Sequence, residues 1–499
     1  MIQKELFRRQ FIFTKDKHPQ LDNWQQNSIN NYILYTHPEL SINQYSQNEK
    51  RLIIVGDLFD YRYPHYSNKE ILHDVFTECI SLDATLKAFD KYCGTFIVIY
   101  LDNTAKEFII FNDNAGIQQI FLHYHKDEVV LASQPKLIST FYQPELDNSK
   151  KAIDFFSSAE FENKRTYIGD LTEFIDVKYL KANHYFNVMS KSVHRFFPYK
   201  KIETVDVNIV AKKAAEIIKG YLKAMSLRKP LLLAVSAGWE SRVLLAASKD
   251  ISERCHYYVF KNSNGPDNSA DVGVPEKLLA RLGLKLDIIN RDFEIDERHK
   301  PLTDTSLSYP RAANLNYMFK YWSKFPDHIS ITGNVSEVAR TEFDNIKNVD
   351  EFKIALFEKY PSQRYAIDYY KKWIAENAQA FDNSNFELLD MLYWEENSSN
   401  WTAKGATETK MVLECQLPFN SRELLTTLLG ADSKYRKKQH CILYKKIVQI
   451  LYPECLEVPV NPHNKKILIA LAQKFGLYGL YRNLYTNYKV ARTKARLKR

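Results

Sequence analysis

Six consecutive residues, Ser236-Ala237-Gly238-Trp239-Glu240-Ser241, carry the densest chemistry in the chain. They follow the continuous apolar run Leu231 to Val235, the pattern of a strand buried on both faces, and lead into a helical segment from about Ser241 to Ser248. A turn so placed aims backbone N–H groups and the positive end of a helix dipole at whatever sits above the strand, and that favours a polyphosphate. Ser236 and Ser241 bring hydroxyl donors, Gly238 lets the backbone approach closely, and Glu240 offers a hard oxygen ligand for the magnesium that ATP would bring. By itself the pattern also describes an ordinary tight strand-to-helix turn.

The elements that must hold this loop alternate. Cys255 to Phe260 reads as a second strand, Pro275 to Leu282 as a helix and Leu286 to Asn290 as a third strand, and Ile329 to Ile331 is a further apolar run. Alternation of this kind predicts a doubly wound parallel sheet, whose ligands gather outside the carboxyl ends of its strands. A long helix over Val210 to Met225 precedes it, after an aperiodic stretch at Phe196 to Val207, and the domain boundary is placed there: residues 1–200 and 206–499. The first domain reads differently. Arg51 to Asp57, Gly94 to Leu101, Glu107 to Phe111 and Glu128 to Ala132 are β-like runs, and Lys69 to Cys79 and Asp83 to Tyr92 have helical spacing, which predicts an α+β layered structure.

Composition narrows the class. The chain has 499 residues, 45% hydrophobic and 13% aromatic, with 14 glycines and 17 prolines spread without a period, which excludes fibrous, disordered and repeat architectures. The N-terminus lacks the apolar run of a signal peptide, and no stretch approaches a membrane span, the best being Pro230 to Ala237. Its 6 cysteines are scattered and read as buried free thiols, so a reducing cytoplasm is expected. A net charge of +9 does not imply nucleic acid, because 60 acidic residues are interleaved with 69 basic ones. The excess concentrates at the end, where Arg482, Lys489, Arg492, Lys494, Arg496, Lys498 and Arg499 follow an apolar, aromatic stretch from Ile467. That tail reads either as a surface for anionic lipid or polymer, placing the protein at the inner face of a membrane, or as a solvated end.

The loop at Ser236 resembles the pyrophosphatase loop Ser-Gly-Gly-x-Asp-Ser of the asparagine synthetase family, with Ala237 in the second position and Glu240 for the aspartate. Thr332-Gly333-Asn334-Val335-Ser336-Glu337 is similar to that family's second signature, Ser-Gly-Glu-Gly-x-Asp, with Glu337 for its aspartate. Tyr393-Trp394-Glu395-Glu396, Trp401 and Glu414 to Asn420 resemble its C-terminal helical region, and Asn112 to Gly116 with Leu131-Ala132-Ser133 resemble pieces of its glutaminase domain. The resemblance covers most of the chain. It implies an N-terminal nucleophile-like αββα sandwich followed by an adenine nucleotide α-hydrolase-like (PP-loop) domain with a helical C-terminal part.

The same resemblance implies roles. Glu240 and Glu337 would hold magnesium and, with Asn334, be the catalytic positions; Ser236, Ala237, Gly238, Ser241, Gly333 and the strand-end residues Val259 and Phe260 would bind ATP. The glutaminase half reads as inactive: Ile2 stands where the nucleophilic cysteine belongs, Val55-Gly56-Asp57 replaces Asn-Gly-Glu, and Ser67-Asn68-Lys69-Glu70 replaces Ser-Asp-x-Glu. Asparagine at 334 cannot serve as a base, and Glu457 to Asn461 offers no match to the family's Arg-x-Lys lysine unless Lys465 or Lys466 substitutes. Arg242 reads as a phosphate or carboxylate contact or as a solvent-facing first-turn residue, Asp267 and Asp271 as turn and cap residues, and His184 and His256 as isolated. The implied activity is an AMP-forming amide ligase joining a small-molecule or glycan carboxylate to ammonia or an amine, in surface polysaccharide or natural-product biosynthesis, with a homodimer compatible. The competing reading is a non-catalytic nucleotide-binding or scaffold relative.

Overall fold

A computed structural model describes residues 5–262, 270–291, 299–340, 364–437 and 441–461. Ile2, Asp267, Lys465, Lys466 and the basic tail lie outside the described residues. No described helix is long and apolar enough to cross a membrane.

The first lobe holds two six-stranded sheets. One runs in the order β10 (Lys178–Tyr179), β8 (Phe121–His125), β9 (Glu128–Ala132), β1 (Phe11–Thr14), β3 (Tyr32–Thr36), β2 (Gln25–Ile29). The other runs β12 (Ser192–Arg195), β11 (His184–Asn187), β7 (Glu107–Asn112), β6 (Tyr92–Asp102), β5 (Lys50–Asp60), β4 (Ile42–Gln47). Every described pairing in both is antiparallel. Alternation along the strands divides the apolar side chains between two layers. Ile53 and Val55 of β5 face Phe11 and Phe13 of the other sheet, whereas Leu52 and Ile54 turn outward onto Ile71, Leu72 and Val75 of the helix Asn68–Glu78. On the far side, Ile12 and Val130 pack on Leu137 and Ile138 of the helix Pro135–Tyr142. Two sheets face to face with helices outside both is an αββα sandwich.

The second lobe begins with the helix Val207–Arg228. Asp206 starts it by accepting from Asn208 N at 2.8 Å, and Lys229 ends it in extended conformation because Pro230 disfavours the helical region for the residue before it. Behind it stands a five-stranded parallel sheet in the order β15 (Leu286–Arg291), β14 (Cys255–Asn262), β13 (Leu231–Ala234), β16 (Ile329–Ile331), β17 (Glu414–Gln416). Leu231 and Leu233 of β13 join Ala214, Ile218, Val243 and Ile447 on one face, and Leu232 joins Leu302, Leu315 and Trp322 on the other. Covering both faces explains the unbroken apolar run. The strand order reverses at β13, so the crevice between the carboxyl ends of β13 and β16 is the switch point at which such sheets bind ligands.

The lobes meet through buried polar contacts. Trp394 Nε1 donates to Asn114 O at 2.8 Å, Asn420 Oδ1 accepts from Ala115 N at 2.8 Å, and Arg422 reaches Asn114 Oδ1 at 3.0 Å and Asp90 Oδ1 at 2.5 Å.

Candidate functional site

The carboxyl end of β13 turns through Val235 to Gly238 into the helix Trp239–Ala247, which starts two residues earlier than its sequence suggests. Hydroxyls knit the turn together. Ser241 Oγ accepts from Ser236 N at 2.9 Å and lies 2.9 Å from Ser236 Oγ, which in turn accepts from Gly238 N at 3.2 Å. The first task of both serines is therefore to fix the loop. Gly238 has an extended backbone that any residue can adopt, and its absent side chain makes room for Glu240: a Cβ there would lie 2.8 Å from Glu240 Oε2. Ala237 is wholly buried, and its carbonyl accepts from Asn461 N at 2.9 Å.

Opposite, β16 ends in Thr332-Gly333-Asn334-Val335, which leads into the short 3-10 helix Ser336–Ala339. Gly333 lies against the Ser236 loop so closely that a Cβ would stand 2.8 Å from Glu240 Cβ. Val335, where the family pattern has glycine, keeps a left-handed φ of +78° although it is β-branched and fully buried. Strain of this kind persists only where surrounding packing imposes it, and it gathers at functional turns. Here it aims Ser336 to Arg340 back at the loop.

Ser236, Gly238, Glu240, Ser241, Val259, Phe260, Gly333, Asn334 and Glu337 all line one cavity of about 680 Å³, so of the positions given a catalytic or ATP-binding role by the resemblance only Ala237 sits behind it. The cavity also takes Lys261, Asp271, Arg340 and Asn461. Asp271, read above as a helix cap, thus belongs to its wall. Lys261 and Arg340 were missed because they fall outside both signatures; the signal available for Arg340 was only its spacing of one helical turn from Glu337.

Arg340 changes the chemistry expected of Glu240. Its Nη2 lies 2.6 Å from Glu240 Oε1, with both side chains largely buried. Tyr444, whose hydroxyl donates to Ser336 O at 2.7 Å, packs beside this group, and burial holds its phenol far above the usual range, with the Glu240 and Glu337 charges adding to the effect and Arg340 opposing it. The oxygen chemistry of the lining suits magnesium, but the two-carboxylate clamp expected for it does not fit this arrangement. A metal ion held by Glu240 would share that carboxylate with a guanidinium 2.6 Å from Oε1, and the two cations would repel.

Arg242 is likewise not the phosphate contact that was one of its two readings, nor solvent-facing. It is fully buried, donates to Cys455 O at 2.5 Å and Val458 O at 2.7 Å, and burial lowers its pKa to about 10. With Asn461 it straps the 455–461 segment against the loop. The segments Asn112 to Gly116, Tyr393 to Trp401 and Glu414 to Asn420 come together at the lobe interface rather than at this cavity, apart from Glu414 to Gln416, which forms edge strand β17. There Glu395 holds Arg195 and Glu396 holds Lys181 at 3.2 Å.

Asp57 and Asn68, read above as replacements in two family stretches, are engaged from the second lobe. Asn68 Nδ2 donates to Asp57 Oδ1 at 2.8 Å, and Arg228, at the end of the helix Val207–Arg228, donates to Asn68 Oδ1 at 2.8 Å and to Tyr66 O at 3.0 Å. Its guanidinium also lies over the Phe59 ring, 4.3 Å from the centroid.

No family model matches the chain, and no curated protein matches it. Solved structures to which it is similar include glutamine phosphoribosylpyrophosphate amidotransferase from B. subtilis complexed with ADP and GMP, at 9% identity over 68% of this chain and 72% of that one, with a TM-score of 0.24. Another is glutamine-dependent NAD+ synthetase from Acinetobacter baumannii in complex with ADP, at 12% identity over 53% of this chain and 65% of that one, with a TM-score of 0.21. At such scores neither likeness carries an argument about this chain.

Proposed function

We propose that the chain is an ATP-dependent, AMP-forming amide ligase of asparagine synthetase-like type, with an N-terminal nucleophile-like sandwich that has no glutaminase activity and a PP-loop-like second lobe. The observation that carries the reading is the cavity itself: a serine- and glycine-bearing turn at a helix N-terminus, at the switch point of a parallel sheet, beside a second loop held in a strained conformation. ATP would lie with its adenine near the backbone of Val259 and Phe260 and its phosphates over the turn from Ser236 to Ser241. An oxygen of the substrate carboxylate attacks the α-phosphorus, the bond to the β-phosphate oxygen breaks, and pyrophosphate leaves. Ammonia or an amine then attacks the acyl carbonyl, AMP leaves with the bridging oxygen, and the amine's extra proton passes to solvent or phosphate, since Asn334 cannot take it.

The nitrogen would come from solution or from the substrate, a reading supported by Arg228, which occupies Asn68 in one of the two stretches read as altered from the family's glutamine-binding pattern. The test is the product set. Incubated with ATP and a panel of carboxylic acids with ammonium or simple amines, the full chain is expected to release AMP and pyrophosphate in equal amounts; ADP and phosphate would overturn the reading. A second reading, a nucleotide-binding relative without turnover, is favoured by the described 457–461 segment, whose contribution to the cavity is Asn461. Binding of ATP without pyrophosphate release under any acid would decide for it.

A further inference from the structure

The cavity wall poses a charge problem. Glu240, Glu337 and Asp271 all line it, and a polyphosphate brought among carboxylates is repelled unless cations intervene. Among the described residues, the cations of this wall are Lys261 at the end of β14 and Arg340 after the strained turn. Arg340 is placed with care. Nη2 lies 2.6 Å from Glu240 Oε1, and the 3-10 helix that ends at it is launched by Val335 at φ +78°. Glu240 is itself held where it is by Gly333, whose missing Cβ leaves room for the Glu240 backbone. Both partners of the pair are therefore fixed by backbone features of the two loops that form the cavity.

A guanidinium offers a planar fork of N–H donors whose geometry matches phosphate oxygens, stays charged at any working pH, and is more weakly hydrated than an ammonium. Held by a carboxylate on one side, it keeps its charge at the site without ligand and moves little when a phosphate arrives. The geometry points to Arg340 as the phosphate-binding cation of this cavity, a guanidinium in the position where a magnesium clamp was expected, so that a nucleoside triphosphate binds here without requiring a divalent metal. This rests on the nucleotide reading above and adds to it which group neutralises the phosphates.

The experiment is calorimetric titration of ATP into the full chain in two buffers, one with excess magnesium chloride and one with EDTA, with thermal melts reporting the folding of each variant. The wild-type chain is expected to bind ATP in EDTA within about threefold of its affinity in magnesium. Arg340→Gln is expected to lose about tenfold or more in EDTA and to recover part of that in magnesium, once Glu240 is released to a metal; Arg340→Lys should fall between, having charge without the fork. Wild-type binding that collapses tenfold or more in EDTA overturns the proposal and leaves the nucleotide reading standing. So does an Arg340→Gln variant that melts as a folded protein and binds like the wild type in EDTA. Absence of ATP binding in both buffers overturns the nucleotide reading and the proposal together.

Discussion

Two arginines contributed by the second lobe each approach an acid, one beside the parallel sheet and one inside the sandwich, and their surroundings differ. Arg340 lies against Glu240 beside about 680 Å³ of open volume. Arg228 reaches toward Asp57 at 3.9 Å but spends its donors on Asn68 Oδ1 and the carbonyls of Leu58 and Tyr66, with Phe59 beneath it. A cation next to space can meet a ligand, whereas one enclosed by carbonyls pins two lobes together. The presence of charged residues at a position therefore says less than the volume left beside them.

The comparison can be broken most sharply at Gly333. Its replacement by valine forces branched carbons into a place where even a Cβ would be 2.8 Å from Glu240 Cβ and 3.2 Å from the Glu240 carbonyl carbon, so the loops must separate. ATP affinity in calorimetry is expected to fall by more than tenfold, with overpacking costing about 1–3 kcal/mol in urea denaturation. Unchanged ATP affinity would show that the two loops do not form one site.

Arg228→Met is expected to do the opposite. It keeps much of the apolar stem over Phe59 but removes the donors to Asn68, Leu58 and Tyr66, for a loss of about 1–3 kcal/mol in urea denaturation with ATP affinity unchanged. If ATP affinity fell with it as far as in the Gly333 variant, the supposed pin would be part of the ligand site and the contrast would fail.

How far the sequence reveals these two places depends on what kind of signal each residue leaves. β13, β14, β15 and β16 and the helices Trp239–Ala247 and Ala270–Arg281 appear in it, β13 most plainly because a strand buried on both faces makes a continuous apolar run, whereas the helices Lys300–Ser306 and Ala312–Trp322 do not. β2 and β4 do not: Gln25 to Ile29 and Ile42 to Gln47 are mixed polar strands at sheet edges, organised by their neighbours rather than by their own pattern. In the site, Ser236, Glu240 and Glu337 are legible because a short loop places them. Arg340, Lys261 and Asn461 reach the cavity through the ends of three separate elements, and nothing in local spacing reports such a meeting. Arg228 is the extreme case, since its partners Asn68 and Tyr66 are 160 and 162 residues away.

A third test separates the lobe interface from the cavity by pH. His184, in β11 at the interface, has its pKa lowered to about 4, first by burial and then by the Arg195 and Lys181 charges, against the pull of Glu395 and of Ala182 O, which its Nδ1 meets at 2.8 Å. With an unfolded value near ~6.5, the unfolded chain binds the extra proton first as pH falls. Stability from this group is thus intact above ~6.5 and declines as pH drops toward about 4. After allowance for partial solvent access the loss is about 2 kcal/mol. His184→Gln should flatten the acid limb of a stability-against-pH curve by up to one proton; an unchanged slope would remove the histidine from the account.

The smallest effect belongs to the turn that delivers Arg340. A buried valine at φ +78° is strained by about 1–3 kcal/mol, and glycine relieves that strain while adding roughly 0.5–1 kcal/mol of unfolded-state entropy and giving up the valine's packing. Burying the valine side chain is worth about 1.5–3 kcal/mol, so the losses exceed the strain relieved and Val335→Gly is expected to destabilise by about 1 kcal/mol. ATP affinity separates the possibilities that stability leaves together. If packing around the turn fixes its shape, the glycine variant keeps the Arg340–Glu240 pair and binds ATP as the wild type does. A fall of several-fold without further loss of stability would show instead that valine's stiffness holds the guanidinium in place, and that the strain is part of how the cavity keeps its cation.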